Sequence, residues 1–445
     1  MVEKKIFGTD GIRGKFGSGM ICPKSFRAIG LALGKIFLRQ GKTKFLLGMD
    51  GRSTGEMLKT ALLEGLPEKI SVLWVGVLPT PAIAHAAKFF SADGAAAITA
   101  SHNPPDANGI KFFSGDGRKW SDREESELEE LLFCGGEESE FGRPSAVVDC
   151  CETALVAYRK HFCEVLPANC LRGKKVVLDT ANGAASAVGA GLLASLGAEV
   201  LPMGNAPDGH NINVSCGSEH PRALCESVRR SAADWGLAVD GDGDRALVCD
   251  RTGTALAGEQ LFARIALHFK KLGYSSPVVG TVLANGALDR QLAHFSIPFL
   301  RVPVGDRNVA EAMKLHGSTF GGEPSGHFLW TGAGPMADGL LTGALFFSTF
   351  DGSGRDSDWQ FPLRPTAAEN ISVEHVLPLG RARRFSKMHR KAESALGADG
   401  RVLARYSGTE NKLRLIVEAR DEATARRWLR ILCRAFLLDV ADGDD

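Results

Sequence analysis

Val176-Val-Leu-Asp-Thr180 runs into Ala181-Asn-Gly-Ala184, and later in the chain Val278-Val-Gly-Thr-Val282 runs through Leu283 into Ala284-Asn-Gly-Ala287. Each is a β-branched run that ends in an Asn-Gly turn and opens a helical pattern, which reads as strand, loop and helix. The echo hints at duplicated domains, although 52 glycines in the chain give so short a match many chances. Phe45-Leu-Leu-Gly-Met49, Val72-Leu-Trp-Val75, Ala95-Ala-Ala-Ile98 and Leu237-Ala-Val239 extend the alternation along the chain. Short apolar strands interleaved with longer helical patterns predict α/β layers. In such sheets ligands collect beyond the carboxyl ends of the strands, so the loops there are where chemistry is expected.

With 445 residues, the chain exceeds one ordinary core, and a prior of ~100 to 200 residues per domain predicts roughly three or four. Lys plus Arg (53) nearly cancel Asp plus Glu (52), and no basic patch marks a nucleic-acid surface. Met1-Val-Glu-Lys-Lys5 has no apolar run behind it, so no secretory signal is expected and the chain is expected to start here. The longest uncharged stretch, 180–198, is mostly Ala and Gly and makes a poor membrane span. Ten scattered cysteines without a Cys-x-x-Cys pair predict reduced thiols in a cytoplasmic protein rather than a zinc or disulfide frame.

Composition marks the seams. The acidic stretch Glu124–Glu140, the turn Asp250-Arg-Thr-Gly253 and the polar stretch Phe350–Pro365 divide the chain into 1–150, 151–253, 254–365 and 366–445. The last segment carries a loop, Arg405-Tyr-Ser-Gly-Thr-Glu410, then an apolar strand at Leu413–Val417 and a helix with basic residues at 426, 427 and 430.

Asp240-Gly-Asp-Gly-Asp244-Arg245 follows an apolar strand directly, and the glycines let three mutually repelling carboxylates curl toward one point. Oxygen-only ligands there suit a hard divalent cation such as Mg²⁺, against a solvated acidic turn. A calcium EF-hand is excluded because Arg245 and Arg251 stand where it needs glycine and glutamate. Thr99-Ala-Ser-His-Asn-Pro104 exposes a serine beside a histidine in a turn, and a serine can carry a phosphoryl group if a metal neutralises it. Gly322-Glu-Pro-Ser-Gly-His327 gathers groups suited to vicinal hydroxyls and a proton, and Arg405-Tyr-Ser-Gly-Thr409 with Arg414 has the inventory for a phosphate dianion. A surface turn is the alternative for both. Gly51-Arg-Ser53-Thr-Gly55 fits a hydrolase elbow between strand and helix, while Arg52 beside the serine favours an anion.

The four loops TASHNP, DGDGDR, GEPSGH and RYSGTE, in that order, resemble the active-site loops of the α-D-phosphohexomutase superfamily. Phe7-Gly-Thr-Asp-Gly-Ile-Arg-Gly14, Asn108-Gly-Ile-Lys-Phe-Phe113 and Val304-Gly-Asp-Arg307 narrow the resemblance to bacterial members that interconvert glucosamine 6-phosphate and glucosamine 1-phosphate. The resemblance implies four domains in a heart shape: three related mixed α/β domains and a smaller α+β C-terminal domain of different fold. Ser101 would be the phosphorylated residue, and its phosphate would complete a single Mg²⁺ site with Asp240, Asp242 and Asp244. Arg245, Arg13 and His102 would line the site, with Lys111 and His327 as proton-transfer candidates. Glu323 and Ser325 would hold sugar hydroxyls, and Arg405, Ser407, Gly408, Thr409 and Arg414 the phosphate not being transferred. A hexose 1,6-bisphosphate is the implied intermediate and activator, and the product would feed UDP-N-acetylglucosamine and cell-wall synthesis. The implied partner is a small hexosamine phosphate, with no nucleic acid or membrane, and a homodimer is compatible. The sequence departs from the subfamily at Pro324, where Asn or Gln is usual, at Asn411-Lys412, and in the short 350–365 linker. Activity on glucose or mannose phosphates, a noncatalytic sugar-phosphate binder, and a serine hydrolase acting through Ser53 are the competing readings.

Overall fold

The computed structural model describes residues 6–8, 10–133, 144, 146–350, 360–407 and 411–442. The chain begins with β1 (Ile12–Lys15), α1 (Pro23–Arg39), β2 (Lys44–Met49), α2 (Gly55–Gly65), β3 (Ser71–Val77), α3 (Thr80–Phe89), β4 (Gly94–Ile98), β5 (Ala107–Ser114), α4 (Asp122–Phe133) and β6 (Ala146–Asp149). These strands form one sheet in the order β1-β5-β4-β2-β3-β6. Parallel strands flank β2 on both edges and both of its faces are buried, which explains why Phe45, Leu46 and Leu47 form an uninterrupted apolar run instead of alternating. Pro23 starts α1 at the position where its missing N–H costs nothing. The helix lies close against α2: a β-carbon at Gly30 would sit 2.2 Å from Leu62 O, and one at Gly65 would sit 2.0 Å from Arg27 O.

Next come α5 (Cys151–Val165), β7 (Lys175–Asp179), α6 (Gly189–Ser195), β8 (Glu199–Met203), α7 (Arg222–Ser231), β9 (Trp235–Val239) and β10 (Ala246–Asp250). The following segment holds α8 (Gly258–Lys271), β11 (Val278–Thr281), α9 (Ala287–His294), β12 (Phe299–Val302), α10 (Asp306–His316), β13 (Phe320–Gly322), β14 (Phe328–Trp330) and α11 (Gly339–Ser348). The two sheets run β10-β9-β7-β8 and β14-β13-β11-β12, the same topology strand for strand. In each, the first strand lies parallel between the second and third, and the fourth returns antiparallel beside the third. The first sheet contains the same unit as β5-β4-β2-β3, with β1 and β6 added at its edges. The echo is therefore a real repeat, and there are three copies.

The chain ends with β15 (Thr366–Ser372), α12 (Arg383–Leu396), β16 (Arg401–Tyr406), β17 (Lys412–Glu418) and α13 (Glu422–Ala441), whose strands pair antiparallel in the order β15-β17-β16. Asp421 caps α13 by accepting from Thr424 N at 2.7 Å, and Leu413, Leu415 and Val417 bury the face of β17 that meets the helices. By contacts the chain divides into a first unit, Met1–Val282 with Ile297–Asp356, and a second, Leu283–Ser296 with Ser357–Asp445. The second Asn-Gly turn belongs to the latter, where Gly286 N donates to Glu418 Oε2 at 2.8 Å and Arg401 Nη2 to Ala284 O at 2.6 Å. No described helix is long and apolar enough to cross a membrane, and Cys22, Cys150, Cys151, Cys163, Cys170, Cys216, Cys225, Cys249 and Cys433 are free thiols.

Candidate active site

Three of the four loops singled out in the sequence occupy the same place in the three repeats, the turn from the third strand into the antiparallel fourth. TASHNP links β4 to β5, DGDGDR links β9 to β10, and GEPSGH links β13 to β14. All three loops lie in the first unit. Ser101 has φ 52°, a left-handed conformation that costs a non-glycine residue roughly 1–2 kcal/mol. The turn does not expose it as the sequence suggested: its side chain is buried because Oγ packs against the aspartate loop, donating to Asp240 Oδ2 at 2.5 Å with His102 Nδ1 3.4 Å away.

Asp240, Asp242 and Asp244 each present an oxygen within 4.8 Å of the others, and all three are buried. Asp240 Oδ1 accepts Asp244 N at 3.1 Å and Arg245 N at 3.2 Å, and Asp242 Oδ2 accepts Thr80 Oγ1 at 2.7 Å. Asp242 Oδ1 and Asp244 Oδ1 have no hydrogen-bond partner although buried. Two buried carboxylate oxygens that make no hydrogen bond, in a three-carboxylate turn, fit a hard divalent cation. The loop has little room to deform: a β-carbon at Gly241 would stand 2.7 Å from Ser101 O, and one at Gly183 would stand 2.3 Å from Gly241 O. The first Asn-Gly turn thus backs the aspartate loop, with Ala184 N donating to Gly241 O at 2.8 Å.

Lys111 Nζ reaches Asp242 Oδ2 and Asp244 Oδ2, both at 2.8 Å, and Asp10 Oδ2 at 2.9 Å. Asp244 Oδ1 lies 3.5 Å from His327 Nδ1, and His327 Nε2 lies 3.2 Å from Asp306 Oδ2, an ion-pair approach without hydrogen-bond alignment. Lys119 Nζ bridges Asp306 and Asp10 and closes a ring: Asp10, Lys111, Asp244, His327, Asp306, Lys119. The ring draws on all three repeats.

Burial raises the Asp240 carboxyl to about 8, with Asp244 and Asp242 adding repulsion. Asp244 moves the other way: burial opposes ionisation, but Lys111 and His327 hold it well below the usual range. Burial likewise works against the cations of Lys111 and His327. The surrounding carboxylates win, keeping Lys111 well above its ordinary value and lifting His327 to about 10. Burial, Arg245 and Arg13 push His102 down to about 4, so it is the neutral imidazole of the site. Arg245 Nη1 pairs with Glu219 Oε1 at 3.0 Å, and Arg13 pairs with Asp10.

Glu323 is half-buried, with Oε1 accepting Gly305 N at 3.1 Å, and Ser325 is exposed. Gly326 has φ 87°, and a β-carbon there would lie 2.0 Å from Ala246 O, so the GEPSGH turn sits directly on the start of β10. In the second unit Arg405 and Arg414 face each other across β16 and β17, lining a cavity of about 230 Å³ with Leu283 and Asn370. Arg414 Nη2 donates to Ser407 Oγ at 3.3 Å, and Gly408 and Thr409 lie outside the described residues. Ser53 stands at the surface with His210 Nδ1 at 3.4 Å. Its neighbour Arg52 is not turned toward a surface anion site; it points inward and is buried against the Asp50 carboxylate and the TASHNP loop.

Sequence reasoning assigned no role to Asp10, Lys119 or Asp306. Asp10 and Asp306 lie in motifs that carry the family resemblance without a role of their own, while nothing in its local sequence distinguishes Lys119.

Residues 4–138, 156–253, 257–359 and 368–435 match, in order, the phosphoglucomutase/phosphomannomutase alpha/beta/alpha domains I, II and III and the C-terminal domain of that family. A phosphoglucosamine mutase from Wolinella succinogenes is 38% identical over 439 residues, covering 96% of this chain and 97% of that protein. Among solved structures, a phosphoglucomutase/phosphomannomutase family protein from Burkholderia thailandensis superposes with a TM-score of 0.77 at 25% identity, covering 97% of each chain. The Aspergillus fumigatus N-acetylphosphoglucosamine mutase, solved with GlcNAc-6P and magnesium, shares the fold with a TM-score of 0.67 at 15% identity over 98% of this chain and 96% of that one.

Proposed function

The chain belongs to the phosphoglucomutase/phosphomannomutase family, and on that premise we propose that it interconverts glucosamine 6-phosphate and glucosamine 1-phosphate through a phosphorylated Ser101. The observation that carries this reading is the buried Ser101 hydroxyl 2.5 Å from an aspartate triad in which two buried oxygens, Asp242 Oδ1 and Asp244 Oδ1, make no hydrogen bond. Full-length similarity to phosphoglucosamine mutases favours the amino sugar as substrate.

In the forward direction O1 of glucosamine 6-phosphate attacks the phosphorus on Ser101. The P–O1 bond forms, the P–Oγ bond breaks, the O1 proton leaves, and Oγ is reprotonated. The 1,6-bisphosphate turns over, Oγ loses its proton and attacks the 6-phosphorus, the P–O6 bond breaks, O6 takes up a proton, and glucosamine 1-phosphate is released. Lys111 and His327, both held protonated, are suited to supply a proton to the departing oxygen, and Asp240 Oδ2 is placed to take one from Oγ. Asp240, Asp242 and Asp244 would hold one Mg²⁺, which would supply positive charge to the phosphoryl oxygens. Arg245 and Arg13 add fixed positive charge, and His102 lines the serine. Glu323 and Ser325 bind sugar hydroxyls, while Arg405, Ser407, Gly408, Thr409 and Arg414 take the phosphate that is not transferred. A hexose 1,6-bisphosphate primes the serine.

Activity on glucose or mannose phosphates is the second reading, favoured by Pro324, which removes an N–H from the sugar turn. The test supplies purified protein with MgCl₂, a trace of glucose 1,6-bisphosphate and each hexose 6-phosphate, and follows 1-phosphates by phosphorus NMR and Ser101 by intact mass. Turnover of glucosamine 6-phosphate with one phosphate on Ser101 is expected. Turnover of glucose or mannose phosphate alone overturns the substrate, and an unmodified Ser101 in an active enzyme overturns the mechanism.

A further inference from the structure

Ser101 is a residue with a side chain in a left-handed conformation, φ 52°, and such a residue persists only where its surroundings over-determine it. Arg52 supplies that constraint. Its side chain is 0% exposed, and a guanidinium has five N–H donors. Nε donates to Asp50 Oδ2 at 2.9 Å, Nη1 to Ala107 O at 2.9 Å and to Pro104 O, and Nη2 to Ser101 O at 3.0 Å and Asn103 O at 2.8 Å. Every donor is spent, and all but one goes to a carbonyl of the serine loop. The anion binding that the sequence suggested for Arg52 is therefore unavailable to it.

The other side of Ser101 is held through the same pair. Asp50 Oδ2 accepts from Thr99 Oγ1 at 2.6 Å, and Thr99 Oγ1 accepts from Ser101 N at 2.9 Å. Asn213, from the second repeat, adds Nδ2 to Ser101 O at 2.9 Å and to Asn103 O at 3.0 Å. Both backbone polar groups of Ser101 are thus fixed, leaving Oγ the group aimed at Asp240.

We propose that Arg52 is a positioning residue for phosphoryl transfer: by gathering the carbonyls of residues 101, 103, 104 and 107 it sets the direction of Ser101 Oγ, with Asp50, Thr99 and Asn213 completing the clamp. The inference rests on the phosphoserine reading above. Lysine, a point charge with three donors, cannot span the same acceptors.

The wild type, Arg52→Ala, Arg52→Lys and Thr99→Val are dephosphorylated. Rephosphorylation of Ser101 by glucose 1,6-bisphosphate with MgCl₂ is then timed by intact mass, beside kcat and KM for glucosamine 6-phosphate. A misdirected nucleophile costs on the order of 100-fold, so both Arg52 variants are expected to rephosphorylate about 100-fold more slowly with KM changed less than about threefold. Millimolar guanidinium is expected to restore Arg52→Ala by about tenfold and to leave the wild type and Arg52→Lys unchanged. A folded Arg52→Ala within about threefold of wild type, or a loss that guanidinium does not touch and that raises KM equally, overturns the proposal. If Arg52→Ala does not fold, Thr99→Val decides: slowed rephosphorylation at constant KM supports the clamp, and an unchanged rate sinks it. A wild type that takes up no phosphate on Ser101 refutes the phosphoserine reading itself, which separates that failure from failure of the clamp.

Discussion

Asp240 makes a quantitative prediction about how the site takes up its metal. Lys111 reaches Asp242 and Asp244 but not Asp240, which is left as the carboxylate that burial and its two neighbours hold at about 8. On that value the dephosphorylated, metal-free protein is expected to carry a proton on Asp240 at neutral pH, which a divalent cation would displace. With the carboxyl titrating at about 8, roughly 3% is ionised at about pH 6.5 and roughly three quarters at about pH 8.5. Apparent Mg²⁺ affinity should thus fall about 25-fold between about pH 8.5 and 6.5, or about 1.9 kcal/mol at ~1.36 kcal/mol per decade. The sign is fixed: affinity rises with pH and levels off above the Asp240 value. Calorimetric titration of MgCl₂ in two buffers of different ionisation enthalpy reads both quantities, and should find close to one proton released per metal at the lower pH and about a quarter at the higher. Asp240→Asn should bind more weakly and lose the pH dependence. An affinity that moves less than about threefold across this interval, or release below about 0.2 proton at the lower pH, would refute the assignment of the excess charge to Asp240.

Three other outcomes are expected. Replacing Asp240, Asp242 or Asp244 by Ala should lower activity and metal affinity beyond the ~10- to 100-fold that loss of an outer partner costs, read from the Mg²⁺ dependence of turnover. Arg307 grips Glu125, which is buried, and Asp122, whose side chain is 70% exposed. Double-mutant cycles read by thermal unfolding should give roughly 2 kcal/mol of coupling to Glu125 and at most about 0.5 kcal/mol to Asp122. A β-carbon at Gly258 would lie 2.0 Å from Pro324 O, so Gly258→Ala must displace the Gly322–His327 turn, costing about 1–3 kcal/mol of stability and, if that turn holds the sugar as proposed, raising KM for the hexosamine phosphate.

The strands and the candidate loops at their ends were legible in the sequence because each is a local pattern: a β-branched run, then glycines between chemically matched side chains. The three-fold repeat was only half legible. Ala-Asn-Gly-Ala marked two copies, but the loop after β2 reads Met49-Asp-Gly51, and the kinship lies in strand order. The charge ring was illegible for a different reason. Asp10, Lys119 and Asp306 come from separate stretches, and their partnership is created by packing the repeats together. Arg52 was read as an anion site because sequence places the guanidinium beside Ser53 without saying which way it points. Five acceptors on the inner side decide that.

The placement of the three candidate loops ties the proposed chemistry to strand register. A parallel crossover leaves its two ends apart, whereas each of these turns joins strands hydrogen-bonded to one another: Ile98 opposite Ile110, Val239 opposite Ala246, and Gly322 opposite Phe328. A one-residue slip in any of those pairs would invert every side chain on the strand and swing the turn away from its partners. A single-residue deletion in β4 or β5 is therefore a more severe lesion for the serine than one in a helix at the same distance. The hairpins are the rulers by which this fold measures where its reactive groups stand.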